Sequence, residues 1–322
     1  MKAMLEETSG RVPGFKQKLA AWWHGYDLNS TDEQADDPDR DTDEPRVISA
    51  PRFKQDLTAR AAVLQELWGP GCVSPGPADF MREITAYLGL TAEMSMLDIG
   101  AGLGGPSRAI SEEYGIWVTA YETREDWVSA GMEQSKMAGM SKKVPIAQFD
   151  PQTLELPERK FDCVLSKELL HVLAGKSKKR LIGEIKQTLK PKGQLLITDY
   201  IAASNSPSEG VVRAWNENAE LESCFWTKDD YEAALAEASL EVCVTEDISA
   251  KQVDFISAGF RTLSRRMEEL LSEEADAEKQ VNLRRALAFE TRRWAVRSEI
   301  LQSGEVRLLR LSAMNHVEPE IR

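Results

Sequence analysis

A chain of 322 residues, 42% of them hydrophobic, is long enough to bury a substantial core as one large or two modest domains. Its formal net charge of −13 opposes attraction to nucleic acid phosphates and argues against a DNA or RNA substrate. Cys72, Cys163, Cys224 and Cys243 are widely spread with no CxxC pair, no secretory signal is visible, and no apolar run reaches about eighteen residues. These features predict a reduced, cytoplasmic protein without structural zinc or a transmembrane helix.

Residues 1–26 contain a short amphipathic helix, with Lys16 and Lys18 early and Trp22, Trp23 and Tyr26 late. Two readings stay open for it: peripheral contact with a membrane or partner subunit, and packing on its own domain. Residues 27–50 turn to acids, Ser, Thr and Pro and read as a flexible linker, with binding of a basic partner as the alternative. Helical spacing resumes over 53–68 through Leu57, Ala61, Leu64 and Leu67, then breaks at Gly69-Pro70-Gly71. In the turn that follows, Ser74 can cap a helix beginning near Pro77.

Strands are expected at 94–99, 116–121, 144–149, 161–165 and 194–199, with helices between them. Such alternation builds a parallel sheet covered on both faces, with ligand at the carboxyl ends of its strands. A helix at 228–238 and a strand at 240–246 continue the scaffold. Residues 251–300 are a helical insertion, a cap or an interface for a homo-oligomer, with Phe255, Phe260, Leu263, Met267, Leu270 and Leu271 at helical intervals. Residues 305–314 alternate as a last strand within a closing segment, 301–322. Trp215, Phe225 and Trp226 read as core or as a wall around a substrate. Arg265-Arg266, Arg284-Arg285 and Arg292-Arg293 read as solvated faces or as attractors of an anion.

The first strand ends in Asp98-Ile-Gly100-Ala-Gly102-Leu-Gly104-Gly105-Pro106, where glycines allow a ligand close to the backbone. An acid inside that turn repels a pyrophosphate and suits a cationic ligand. Glu122 closes the second strand, where an acid can accept ribose hydroxyls. An acid after a strand can equally cap the next helix.

The segment from Met94 to Pro106, Glu122, Phe149-Asp150-Pro151 and the run from Leu189 to Tyr200 together resemble the class I S-adenosylmethionine-dependent methyltransferases, over roughly residues 67–315. Within them, the sequences from Trp68 to Gly76, Leu103-Gly-Gly and Ile197-Thr-Asp-Tyr200 are similar to phosphoethanolamine N-methyltransferases. The resemblance implies a Rossmann-like α/β fold: a seven-stranded, mostly parallel sheet with an antiparallel final strand, here with an N-terminal extension and the helical insertion. Residues 51–250 would form the core, including a helix that covers the cofactor.

For S-adenosylmethionine, the resemblance implies that Asp98, Gly100, Gly102 and Gly104 hold the amino-acid end and that Ser74 faces the methionine portion. Glu122 and Thr123 would hold the ribose, Asp150 and Pro151 the adenine, with Ser166 at the same sheet edge. His171, shortly after the fourth strand, matches a catalytic histidine, although a structural histidine is also common there. The partnering tyrosine is missing, with Asp56 and Leu64 on the helix that would carry it, and Leu221 and Ser223 stand where a phosphate-gripping arginine and tyrosine would be. The implied activity is N- or O-methylation of a small polar acceptor. The alternatives are methylation of a lipid or amphiphile at a membrane surface, and an inactive binding or assembly subunit.

Overall fold

Apolar runs flanked by glycine turns assemble into a single seven-stranded sheet. The computed structural model describes residues 57–316 except 152, 205 and 206. The expected N-terminal helix and acidic linker therefore lie outside the described residues, as does the end of the C-terminal tail.

The strands are β1 (Ser95–Ile99), β2 (Trp117–Glu122), β3 (Ile146–Gln148), β4 (Phe161–Lys167), β5 (Leu189–Ala202), β6 (Leu240–Asp247) and β7 (Val306–Asn315), in the order β3-β2-β1-β4-β5-β7-β6. β7 runs antiparallel to both neighbours, while β1 to β5 pair in parallel. The mostly parallel sheet with an antiparallel final strand is thus what forms. β1 and β4 lie side by side although two strands separate them in sequence. At that reversal of strand order the carboxyl ends leave a crevice.

Strand lengths depart from expectation for reasons of pairing. β3 covers only three residues because its ladder with β2 runs from Ala120↔Ile146 to Glu122↔Gln148. β5 begins at Leu189 rather than 194, since Leu189 already faces Phe161. The register then shifts so that Cys163 faces Gln194, and residues 190–193 form an irregularity inside the strand, with Lys192 at φ 63°. β4 runs two residues beyond 165, which carries Lys167 to the sheet's edge opposite Thr198.

The covering helices are α1 (Leu57–Trp68), α2 (Ala78–Thr85), α3 (Gly105–Tyr114), α4 (Glu125–Met137), α5 (Gly175–Thr188), α6 (Glu209–Glu217) and α7 (Lys228–Glu237). Pro77 is the N-cap of α2 and makes no side-chain cap, so Ser74 does not cap this helix. A capping box at Thr227 and Asp230 starts α7. The expected stretch 251–300 resolves into two long helices, α8 (Ser249–Glu273) and α9 (Ala277–Ser303). The Asp276 carboxylate accepts the N–H groups of Glu278 and Lys279 at 2.8 and 3.3 Å, and this cap restarts the helix.

α8 and α9 pack on α1 through Leu64, Trp68, Ile256, Met267, Leu283 and Trp294, all buried. The rings of Trp68 and Trp294 meet edge to face at 5.2 Å. Two side chains of this layer are charged and fully buried, Arg60 on α1 and Glu290 on α9, joined by a 2.6 Å hydrogen bond from Nε to Oε1. Among the described residues no helix is long and apolar enough to cross a membrane, and no group of three or more potential metal ligands gathers.

Candidate active site

The glycine turn after β1 is held by its neighbour strand. The N–H groups of Gly100 and Ala101 donate to the Tyr121 carbonyl at 2.8 and 2.9 Å, and that of Gly102 donates to Glu122 Oε2 at 2.8 Å. Gly102 has φ 59°, a left-handed conformation that glycine adopts without strain. Gly105 opens α3 and donates its N–H to the Gly71 carbonyl at 2.9 Å, clamping the turn to the loop that carries Ser74. A Cβ on Gly105 would lie 2.6 Å from the backbone C and O of Gly71. Gly105→Ala is therefore expected to destabilise the fold by about 1–3 kcal/mol, checked by urea denaturation.

A cavity of about 160 Å³ opens at the carboxyl ends of β1, β2 and β4. One side presents Ser74, Asp98, Gly100, Glu122 and Thr123. The other presents Lys167, Glu168 and His171, and α9 contributes Arg293 and Arg297. Its rim is tied by Glu220, which pairs with both Arg60 and Arg124; Arg124 and Glu220 are also part of the wall.

The carboxylates of the first side are short of cations. Asp98 is 1% exposed; its Oδ2 accepts the Ser107 hydroxyl and its Oδ1 has no partner among the described residues. Burial raises its carboxyl to about 6, against the Ser107 hydrogen bond and the more distant charge of Lys167. Burial also pushes Glu122 up, although the Gly102 N–H and Thr123 oppose the shift. A desolvated carboxylate with a bare oxygen favours a ligand that brings positive charge or donor hydrogens.

The second side is a polar chain ending on a histidine. Lys167 Nζ donates to the Ser74 hydroxyl, to the Pro75 carbonyl at 3.2 Å and to Glu168 Oε1 at 3.0 Å. Tyr200 donates its hydroxyl to Glu168 Oε2 at 3.2 Å. Glu168 has φ 54°, a strained backbone for a non-glycine residue, fixed by its 2.6 Å N–H bond to the Thr198 carbonyl. Burial works to raise the Glu168 carboxyl, but Lys167, Arg297 and His171 together hold it below its ordinary value.

His171 Nδ1 lies 2.8 Å from Asp199 Oδ1, and Asp199 Oδ2 accepts the hydroxyl of Tyr231. A carboxylate there takes the Nδ1–H and leaves Nε2 as the bare nitrogen, which has no partner among the described residues. Burial pushes the imidazole below the ordinary histidine range, despite the nearby Asp199 charge. The ring is boxed by Tyr200, Trp215 and Phe225, at centroid distances of 5.1, 5.7 and 6.4 Å. Trp215 and Phe225 thus wall the histidine, whereas Trp226 packs on Tyr231 at 5.2 Å.

Of the residues singled out in the sequence, Ser74, Asp98, Gly100, Glu122, Thr123 and His171 share the cavity wall. Gly102 and Gly104 shape the turn behind it. Asp150, Pro151 and Ser166 do not line it. Asp150 is exposed in the loop after the short β3, and its carbonyl closes a turn by accepting from Thr153 and Leu154. Ser166 is buried on β4, where side-chain alternation sends it to the face opposite Lys167.

Sequence reasoning passed over Lys167, Glu168, Asp199 and Arg297 as parts of the wall or its support. For Arg297 a signal existed: it stands four residues after Arg293, so the two share a helix face. Of the other arginine pairs, Arg265 is exposed beside Glu269, and Arg266 donates to the Glu66 carbonyl at 2.9 Å.

Comparison with known proteins agrees with this geometry. The family described as "Methyltransferase domain" matches residues 97–197. Phosphoethanolamine N-methyltransferase of Plasmodium falciparum is 26% identical over 209 residues, 65% of this chain and 77% of that protein. Phosphoethanolamine N-methyltransferase 1 of Triticum aestivum is 32% identical over 146 residues, 45% of this chain but only 28% of its own length. The chain thus spans most of the first relative and under a third of the second. The solved structure of Haemonchus contortus phosphoethanolamine N-methyltransferase 2, with phosphomonomethylethanolamine and S-adenosylhomocysteine, superposes with a TM-score of 0.66 at 18% identity, covering 80% of this chain and 57% of that one. Residues 97–197 thus match the methyltransferase-domain family, and the sheet they help to build has the fold of the solved methyltransferase structure.

Proposed function

We propose that this protein methylates a small polar acceptor on nitrogen or oxygen, with S-adenosylmethionine as donor. The observation that carries the reading is the convergence on one cavity of two under-compensated buried carboxylates, Asp98 and Glu122, with a histidine whose Nε2 is bare. The first pair suits a cationic ligand rich in donors, and the bare oxygen of Asp98 is the feature that best fits its amino group. Glu122 has four lone-pair sites, so it can accept ribose hydroxyls while still holding Gly102, Thr123 and Arg124. Ser74 and Lys167, bonded to each other, are placed to meet the carboxylate of the methionine portion. When bound, the cofactor supplies a methyl group already activated on a sulfonium.

The chain's own part is to place the acceptor, exclude water and take a proton. His171 Nε2 is the proton acceptor, with Asp199 fixing the tautomer. Glu168, ionised and braced by Lys167 and Tyr200, can accept a hydrogen bond from an amine or hydroxyl beside it.

The test is calorimetry of S-adenosylmethionine binding to the full chain. Asp98→Asn is expected to weaken binding about 10- to 100-fold, the worth of one hydrogen bond to a charged group. Unchanged affinity in that variant, or no binding by the parent protein, would overturn the reading.

A further inference from the structure

α9 brings two guanidinium groups to the same cavity, and their bonding is unequal. Arg293 reaches Glu290 Oε2 with Nη1 at 3.4 Å. Arg297 is 5% exposed, yet it makes no ion pair and no hydrogen bond to the described residues. Its guanidinium instead lies against three rings, 4.6 Å from the centroid of Trp215, 4.8 Å from Trp294 and 5.4 Å from Tyr200. The rings give it cation–π contacts but accept none of its N–H donors in hydrogen bonds, and the residue lines the cavity.

A guanidinium buried to that degree without a hydrogen-bonded carboxylate is costly; Arg293 one turn away adds like-charge repulsion, and the more distant charges of Glu168 and Glu290 oppose these costs only in part. Burial first, and then Arg293, lowers Arg297 to about 10, which still leaves it cationic at neutral pH. An anion on a ligand would supply the direct partner that the described residues do not.

Its neighbours indicate which ligand. Tyr200 and Trp215, the rings against Arg297, also box His171, and Tyr200 is hydrogen-bonded to Glu168. Arg297 thus stands on the His171 side of the cavity, away from Ser74 and Asp98, whereas Lys167, bonded to both Glu168 and Ser74, reaches across to the cofactor side. The local charges also bear on the anion's type. Arg60 and Arg293 bond to Glu290, Arg60 and Arg124 to Glu220, and Lys167 to Glu168, which leaves Arg297 as the cation of the wall with no directly bonded carboxylate among the described residues. A guanidinium meets carboxylate and phosphate alike in bidentate geometry, but its single charge balances a carboxylate monoanion and only half of a phosphate dianion.

We propose that Arg297 is the anchor of a carboxylate subsite, and that the methyl acceptor is a small amine or hydroxyl compound bearing a carboxylate, its nucleophilic end against Glu168 and His171. This rests on the methyl-transfer reading above and adds the chemical class of the acceptor. The subsite is built on the helical insertion, in a chain where Leu221 and Ser223 provide no charged grip.

The experiment incubates the full-length protein with methyl-labelled S-adenosylmethionine and a small-molecule cell extract, and identifies the labelled product by mass spectrometry. A carboxylate in the product supports the subsite. A methylated product without one, a phosphate ester included, overturns the carboxylate assignment while leaving methyl transfer standing. No labelled product from a protein that binds the cofactor removes the methyl-transfer reading, and the subsite with it. With the identified acceptor, Arg297→Gln is expected to raise KM about 10- to 100-fold, with cofactor affinity within about twofold of the parent and partial recovery in Arg297→Lys. An unchanged KM, or an equal loss of cofactor affinity, would assign Arg297 to packing or to the cofactor's own carboxylate and overturn the proposal. Because product chemistry is read on the unaltered chain, the assignment is tested even where the Gln variant folds poorly.

Discussion

His171→Ala is expected to lower kcat by about 10²- to 10⁴-fold, the usual worth of a positioned proton acceptor, while the affinity for S-adenosylmethionine stays within about twofold. The asymmetry follows from placement. Asp98, Glu122 and Ser74 occupy the other side of the cavity and keep their partners when the imidazole is removed. A purely structural histidine would fail differently: loss of a ring packed among Tyr200, Trp215 and Phe225 would lower stability and cofactor affinity together.

The pH profile separates the two cases further. Burial holds His171 below the ordinary histidine range, and only its neutral form accepts a proton. Turnover should therefore be full above that depressed pKa and fall with unit slope as pH drops through it, on the acid side of a free histidine. Asp199→Asn removes the charge that favours the imidazolium and the acceptor that fixes Nδ1–H, so it should move this acid limb to still lower pH while reducing kcat. A profile in kcat without an acid limb, or one unmoved in Asp199→Asn, would leave His171 a wall residue. Should the acceptor be an ammonium, its own titration lies at higher pH and does not obscure that limb.

What the sequence displayed and what it hid divide along local and non-local physics. Three glycines after an acid-bearing apolar run have few explanations, and Gly100, Gly102 and Gly104 all adopt positive φ, as the turn requires. Glu122 was legible because parallel pairing of β1 and β2 fixes its distance from the turn, and its carboxylate indeed receives Gly102. Asp150 and Ser166 show the limit of the same reasoning. Knowing the strand end does not fix which face a residue takes, and one step of alternation separates Ser166 from Lys167.

The pairing of His171 with Asp199 spans 28 residues and that of Tyr231 with Asp199 spans 32, across different elements, so no spacing rule announces either. Arg297 was hidden for a related cause. Its charge reads as a solvated helix face until α9 is seen to lie against α1 and the sheet's edge, where the same face is inside.

The charged contact beneath that helix carries the largest expected effect on stability. Glu290 is fully buried; its Oε1 accepts from Arg60 Nε at 2.6 Å, and its Oε2 from Trp294 Nε1 at 3.1 Å and Arg293 Nη1 at 3.4 Å. The Arg60 guanidinium also lies 5.0 Å from the Phe289 ring centroid and 6.0 Å from that of Trp127, so aromatic rings rather than further acceptors flank the pair. Glu290→Gln leaves Arg60 with only Glu220 at the cavity rim, and is expected to cost about 3–5 kcal/mol in urea denaturation, as breaking a buried pair from one side does. Arg60→Met should cost somewhat less, since Glu290 Oε1 loses its partner while Oε2 keeps Trp294 and Arg293.

The double variant Arg60→Met, Glu290→Met removes both charges and should be less destabilised than the sum of the single losses by about 1–3 kcal/mol, since the sites share one interaction. Strict additivity would mean that the two side chains stabilise through separate contacts. The pH dependence has a fixed sign. Burial raises the Glu290 carboxyl, but Arg60 and Arg293 outweigh it and hold the folded-state value below the ordinary one. The pair's contribution is therefore complete above the unfolded glutamate value of about 4.3 and is lost as pH falls through the lower, folded value. Glu290→Gln should flatten that acid loss. Because α9 also carries Arg293 and Arg297, the variant loosens the helix that presents them, and an accompanying rise in acceptor KM would tie the buried pair to the geometry of the site.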